Sequence, residues 1–299
     1  MITHAFEALA AEPALVLMFN FQFSILNSSF SDVPRAFWAT LAFVVGALVG
    51  SFLNVVIHRW PLGESIVFPA SRCGSCRTTI KPWDNIPIVS WLLLRGRCRA
   101  CGARFSSRYM LVELANGLFY LAIFARMGIA PGALLVAATV SMTIVLIFID
   151  LDVQFLPDVV TIPGIAVGIA IGALSLGKLY PGMLLAKVWW ESLAGALIGG
   201  ALIYGVNLLY RAVRGIDGMG MGDAKMLAMI GATMGWIAVL PVLFLASMVG
   251  AVFGVTTMLG SKDGWQTQIP FGVFLGLAVF VVLFFGTTLA EWYLGAVLL

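Results

Sequence analysis

Apolar residues run along this chain of 299 residues in long blocks, and polar positions gather between the blocks instead of alternating within them. The first block, 37–57, carries no charge. A polar stretch from His58 to Arg108 follows, and further apolar blocks recur at about 110–128, 131–149, 159–177, 188–210, 225–240, 242–260 and 270–290. A helix crosses about 30 Å of hydrocarbon with roughly 20 residues, and it satisfies its backbone groups internally. The in-out alternation of a transmembrane barrel is missing. The pattern predicts an all-α polytopic membrane protein with about eight transmembrane helices. Segment 225–260 is short for two full spans and also fits one long span plus a re-entrant piece. Three regions follow: 1–57, an N-terminal segment with the first transmembrane helix; 58–108, a small insert; and 109–299, a multi-helix membrane domain.

Composition agrees with the pattern: 61% of residues are hydrophobic and 10% charged, and mean hydropathy is +1.03, too apolar for a soluble globule. Net charge is only +3, but nine of the 17 Lys and Arg lie between Arg59 and Arg108. The positive-inside rule therefore places the insert in the cytoplasm. Counting spans from there, the loops at 150–158, 211–224 and 261–269 fall inside. Arg211, Arg214, Lys225 and Lys262 agree with this, whereas Arg126, Lys178 and Lys187 run against it. The amino terminus has no basic residue before Arg35, and Glu7 and Glu12 interrupt its apolar positions. Block 37–57 is thus expected to be an uncleaved anchor, and the patch at 15–25 fits a membrane surface. Gly164, Gly168, Gly172, Gly195, Gly199 and Gly200 read as close helix packing in lipid.

All four cysteines fall into one pattern, Cys73-Gly-Ser-Cys76 and Cys98-Arg-Ala-Cys101. Two thiolates two residues apart grip one metal from a tight turn, and two such knuckles complete a tetrahedral four-sulfur zinc shell. Disulfides do not persist in a reducing cytoplasm. Four thiolates leave no open coordination position, so the metal is expected to order a segment too small for a good core of its own. Gly74 and Gly102 are the residues expected to permit the turns.

Carboxylates near a bilayer are costly and read as functional candidates. Asp150, Asp152, Asp158, Asp217 and Asp223 lie on the insert's side of the expected topology. Asp158 follows Pro157 and reads as a helix-start cap; Asp152 and Asp217 fit ordinary interfacial charges. Asp150 closes an apolar run. Asp223 ends the glycine-spaced turn Gly218-Met219-Gly220-Met221-Gly222 and is expected to begin a helix through Ala224-Lys225-Met226-Leu227, where the helix dipole favours a carboxylate. Two aspartates that meet across a water molecule can cleave an amide: like charge and desolvation leave one protonated and one ionised. The ionised group takes a proton from water and the protonated one donates to the scissile carbonyl. With only His4 and His58 and no HExxH motif, Ser/His and metal hydrolysis have little to build on.

On these residues the chain resembles the type IV prepilin peptidases and the wider GxGD class of membrane aspartyl proteases. Gly50-Ser-Phe-Leu-Asn-Val-Val-Ile-His-Arg59 is similar to the family's first-span signature, and the paired CxxC motifs are similar to its zinc insert. Asp84-Asn-Ile-Pro-Ile-Val-Ser90 and Leu94-Arg-Gly-Arg-Cys98 resemble further insert motifs. Asp150 before Leu156-Pro157-Asp158, and Asp223 in Gly220-Met221-Gly222-Asp223, match the two catalytic aspartates, and Ile269-Pro270-Phe271-Gly272 matches a PFG element. Met110 and Val273 depart from the family, standing where prolines are usual. The resemblance implies a peptidase at the cytoplasmic face of the bacterial inner membrane, removing the basic leader of prepilins and pseudopilins for type IV pili or type II secretion. It further implies methylation of the new N-terminus with S-adenosylmethionine, with Gly96 and Glu113 carried over as cofactor residues, although no GxGxxG motif is present. The insert retains its zinc motif, as in the bifunctional members. Nothing points to nucleic acid as a partner. Two readings from other classes stand beside this one. A transporter would hold its carboxylates near the bilayer midplane, and a membrane anchor would use the zinc knuckles to dock a partner but leave the aspartates unexplained.

Overall fold

The first apolar block forms helix α1 (Arg35–Arg59), which is uncharged from its second residue until His58 and Arg59 in its last turn, where cations complement the helix dipole. A 3₁₀ turn with Pro61 follows, and Gly63 at φ +69° ends it. The structure, a computed structural model, describes residues 33–216, 220–260 and 270–297. The expectations placed on residues 1–32, Asp217, Gly218, Met219, Lys262 and Ile269 lie outside these.

The insert carries one short helix, α2 (Val89–Leu93). Helix α3 (Ser107–Met127) starts under a Ser106 cap, whose side chain accepts the Arg108 N–H at 3.2 Å. The remaining elements are α4 (Pro131–Val153), α5 (Asp158–Ala173), α6 (Leu176–Leu179), α7 (Trp189–Arg214), α8 (Met221–Met234), α9 (Trp236–Gly260) and α10 (Phe271–Val297). Among the described residues six helices, α1, α3, α4, α7, α9 and α10, are long and apolar enough to cross a membrane. At 1.5 Å per residue, α5 with 16 residues and α8 with 14 reach only about 24 and 21 Å.

Three expected boundaries move. The break expected near 241 falls at Gly235, whose φ of +82° belongs to the left-handed region, and α9 runs on through Pro241. Block 225–260 is thus a short helix followed by a long one. Block 159–177 divides at Leu174, after which the chain turns through Ser175 at φ +52° into α6. Helix α4 continues to Val153, so Asp150 sits inside its last turn instead of closing it.

Helix α8 is the most enclosed element, with every residue from Met226 to Met234 buried. It packs against α7, α5, α9 and α10, while α4 joins this group to the α1–α3 pair. Absent side chains permit the approach. Gly195 of α7 and Gly231 of α8 face one another with no space for a Cβ, and a Cβ on Gly168 of α5 would lie 2.7 Å from the Ala232 backbone. The packing role expected of these glycines holds, except that Gly200 has room for a methyl group, with its nearest neighbour at 3.6 Å. Buried polar groups tie the α1–α3 pair to α4. Asn116 donates to the Gly46 carbonyl at 2.7 Å and accepts from the Ser141 hydroxyl at 3.0 Å.

Candidate active site

Three chain segments meet at the end of α4 that faces the insert. The turn after α4 holds Leu156, which is buried to 4% exposure. Its side chain fills the gap between two glycines that start other helices: a Cβ on Gly222 of α8 would lie 2.8 Å from Leu156 Cβ, and one on Gly272 of α10 would lie 3.1 Å from Leu156 Cδ1. Each glycine adjoins a carboxylate. Gly222 precedes Asp223, and a Cβ on Gly272 would lie 2.9 Å from Asp150 Oδ2. The Val273 N–H, in the first turn of α10, donates to the same oxygen at 3.1 Å. Asp150 is buried and Asp223 half-buried, and each lies in the field of the other.

Asp223 is the third residue of α8, not its first, because Gly220 takes the N-cap position. The carboxylate therefore sits in the first turn, where the Gly220 backbone hydrogen-bonds it and the Asp223 N–H donates to the Gly220 carbonyl at 3.2 Å. Asp158 is the first residue of α5, but Pro157 is the N-cap and no side-chain cap bond forms. Instead its carboxylate holds Lys225 Nζ at 2.6 and 2.8 Å, pinning the start of α5 to the turn that carries Asp223. Asp152 pairs with Arg108 at 2.6 Å, and the same guanidinium donates to the Phe148 carbonyl at 3.1 Å. The first turn of α3 is thereby tied to the last turn of α4. Sequence reading missed these bridges and the place of Leu156. Val273 had drawn attention only as a departure from the family, yet its amide makes a bond that proline at this position could not.

In the insert the two CxxC knuckles converge. All four Sγ atoms lie within 4.8 Å of one another, with Cys73–Cys101 at 3.8 Å and Cys76–Cys98 at 4.0 Å. A tetrahedron of zinc–sulfur bonds near 2.3 Å has edges of about 3.8 Å, so this donor set fits that ion. Each knuckle closes on the fourth residue after its first cysteine: Arg77 N–H donates to the Cys73 carbonyl at 2.9 Å, and Gly102 N–H to that of Cys98 at 2.9 Å. Both residues have positive φ, +60° and +72°. The left-handed position of the first knuckle is therefore Arg77, not Gly74 as expected. Thr78, whose hydroxyl is 3.3 Å from Cys76 Sγ, holds that thiol down to about 6, which favours the ligating thiolate. From within the second knuckle Arg99 grips Asp84 through Nε at 3.0 Å and Nη2 at 2.7 Å.

A cleft of about 470 Å³ opens between the insert and the ends of α1 and α3, and both Gly96 and Glu113 line it. This volume falls in the range of small-molecule sites. Glu113 is buried, and its Oε2 accepts the Ile88 N–H at 2.7 Å. Ser51 of α1 lies within hydrogen-bonding reach of it. Gly96 has φ +63°, and a Cβ there would lie 2.9 Å from the Trp91 ring. The indole N–H of Trp91 is buried without a partner. A bare glycine backbone and a donor left unmatched, beside a buried carboxylate, fit a wall that takes a polar ligand.

Residues 44–127 match the Bacterial Peptidase A24 N-terminal domain, and residues 137–255 match the Type IV leader peptidase family. A Stutzerimonas stutzeri protein named Prepilin leader peptidase/N-methyltransferase is 37% identical over 286 residues, covering 87% of this chain and 95% of the relative. This chain belongs to the type IV leader peptidase family. Proteins of the same name from Myxococcus xanthus and Pseudomonas putida are 42% and 34% identical, over 80% and 86% of this chain and 70% and 94% of their own lengths. No solved structure matches. As a member of this family the chain is a multi-pass membrane peptidase.

Proposed function

We propose that this peptidase removes the leader of type IV prepilins and pseudopilins by an aspartyl mechanism, with Asp150 and Asp223 as the catalytic pair. The observation that carries the proposal is the meeting of Gly222 and Gly272 around Leu156, which brings the opening turn that bears Asp223 beside Asp150 and into the field of its charge. A water molecule between them is the nucleophile. The ionised carboxylate removes its proton as it attacks the scissile carbonyl, and the protonated one donates to the carbonyl oxygen; as the resulting gem-diol collapses, the first carboxyl passes the proton taken from water to the leaving amine and the second regains its proton from the gem-diol hydroxyl. The Val273 amide orients Asp150, and the Lys225–Asp158 pair holds the turn of Asp223. A carrier of protons or cations would place such groups mid-bundle, whereas these lie in the last turn of α4 and the first turn of α8. The basic insert supports a cytoplasmic position for this end of the bundle. Region 58–108 then forms one zinc-bearing unit and 109–299 the peptidase domain.

The second activity is N-methylation of the new amino terminus. The cleft of Gly96 and Glu113 would hold S-adenosylmethionine, which when bound supplies an electrophilic methyl group. Glu113, fixed by the Ile88 amide, offers a buried carboxylate to the ligand, and Gly96 keeps the Trp91 edge clear. Cys73, Cys76, Cys98 and Cys101 would hold zinc and so fix the cleft's outer wall.

Cleavage of a synthetic prepilin leader segment by the purified full-length protein tests the first activity. Asp150→Asn and Asp223→Asn should each abolish cleavage with the fold and zinc content kept, and unchanged turnover in either removes that residue from the mechanism. For the second, Glu113→Gln and Gly96→Ala should each weaken binding of S-adenosylhomocysteine at least tenfold; unaltered binding in both places the methyl donor elsewhere.

A further inference from the structure

The insert does not stand clear of the bundle. Ile88, at the start of α2, donates its N–H to Glu113 of α3 at 2.7 Å, and Glu113 in turn lies within bonding reach of Ser51 of α1. Glu113 is six residues inside the start of α3, and Ser51 is eight residues before the end of α1. At 1.5 Å per residue these positions lie about 9 and 12 Å in from the helix ends. The segment around α2 has therefore folded back to the depth where headgroups give way to acyl chains, which is where interfacial helices rest.

Its outward side chains match that depth. Val89 is 48% exposed, Leu92 56% and Leu93 77%, at helical spacing along one side of α2, and Ile86, in the extended segment just before it, is 48% exposed. Trp83, 60% exposed, precedes them. The other side faces inward: Ser90 is buried and donates to the Trp83 carbonyl at 2.9 Å, and Trp91 lines the cleft. Exposed Lys81 and Arg95 flank the element, and Lys81 Nζ lies 5.3 Å from the Trp83 ring centre. An apolar face bounded by an aromatic ring and two cations is the composition of a membrane-interface element.

We infer that residues 83–93 form an interfacial membrane anchor, with Ile86, Val89, Leu92 and Leu93 inserted at the headgroup–acyl boundary of the leaflet on the insert's side. The partner is the lipid bilayer itself. The back of this anchor is the wall of the cleft, so the bilayer supports Trp91 and Gly96 from behind. The inference needs only that α1 and α3 cross the membrane, and is independent of what is cleaved or methylated.

Photocrosslinking tests it. Leu93→p-benzoylphenylalanine is introduced into the full-length, zinc-loaded protein in nanodiscs of phosphatidylethanolamine and phosphatidylglycerol, with Thr79→p-benzoylphenylalanine, on the exposed first knuckle, as the reference. Intact-mass analysis after irradiation should show at least fivefold more phospholipid adduct at position 93 than at 79. Equal yields, or adducts at 93 with another polypeptide and not with lipid, overturn the inference. If the Leu93 variant fails to hold zinc, the same substitution at Leu92 is read by the same criterion.

Discussion

Adding one methyl group beside Asp150 should slow cleavage more than it weakens the fold. In Gly272→Ala the new Cβ would lie 2.9 Å from Asp150 Oδ2 and 3.1 Å from both Asp150 Cγ and Leu156 Cδ1. Ordinary contact begins near 3.4 Å, so the carboxylate must retreat by about half an ångström. The retreat takes Oδ2 off the Val273 amide that it now accepts at 3.1 Å. A misplacement of 1 Å costs about a hundredfold in rate, so half of that should lower kcat about tenfold, equivalent to about 1.4 kcal/mol of barrier. Leader binding is remote from the added methyl, so KM should stay within about twofold. Overpacking costs about 1–3 kcal/mol, and the gain from replacing glycine within a helix returns about 0.5–1 of it; the folded protein should survive. Gly205→Ala is the control. Beyond its own stretch of helix backbone nothing lies within 4 Å of its added Cβ, so kcat should be unchanged and Tm should rise slightly. The assay is steady-state cleavage of a leader peptide with thermal unfolding run in parallel. A Gly272→Ala enzyme with wild-type kcat would refute the claim that this glycine fixes the position of Asp150.

Lys225→Met should reduce stability by less than about 1 kcal/mol, because both members of its pair are substantially exposed, yet lower turnover several-fold by loosening the Asp223 turn; equal turnover at matched stability would show that the pair positions nothing. Wild-type protein should carry one zinc per chain by elemental analysis, and Cys76→Ser or strong chelation should remove it and expose 58–106 to proteolysis, since metal binding is linked to folding of so small a unit. The Arg99 guanidinium, by hydrogen bond and charge, holds the Asp84 carboxyl below the ordinary carboxylate range. The folded state is thus favoured above the ordinary value, and this contribution is lost as pH falls through the lowered one. The carboxyl ¹³C titration of Asp84 should have its midpoint below the usual value of about 3.9, and Arg99→Gln should return it there.

The parts legible from sequence are those in which residue type alone carries the physics. Blocks of uncharged apolar residues have to be helices in lipid, and paired CxxC spacing fixes a sulfur tetrahedron wherever the chain between the knuckles runs. Asp150 and Asp223 stand out as candidates because acids at such positions are costly and because both sit in recognisable motifs. Boundaries were less legible. Pro241 looked like a break but lies within the second turn of α9, whereas Gly235, one glycine among 32, ends α8 through its left-handed φ. Arg77 takes the same backbone position as Gly102 without being glycine, because closure of the knuckle outweighs its preference.

What escaped altogether is the relation among Leu156, Gly222 and Gly272. None of these residues has chemistry of its own, and 116 positions separate the first from the last. In sequence Leu156 is one more leucine in an apolar chain, and each glycine could as well serve a turn. Their meaning is joint. Two helix starts approach from different directions, each bare at the one position where a side chain would strike, and one leucine occupies the space left between them. Since Gly222 carries Asp223 behind it and Gly272 borders Asp150, the volume of that single side chain sets how far apart the two turns stand. Replacing Leu156 by Ala would leave a void between them that water could enter. Two carboxylates better screened from each other titrate closer together, so the pH–kcat profile, whose width reflects the gap between the two apparent pKa values, should narrow. Leu156→Met, which conserves volume, should keep the width. A profile of unchanged width in the alanine variant would mean that the turns are held apart by their own backbones, and that the leucine only fills the space.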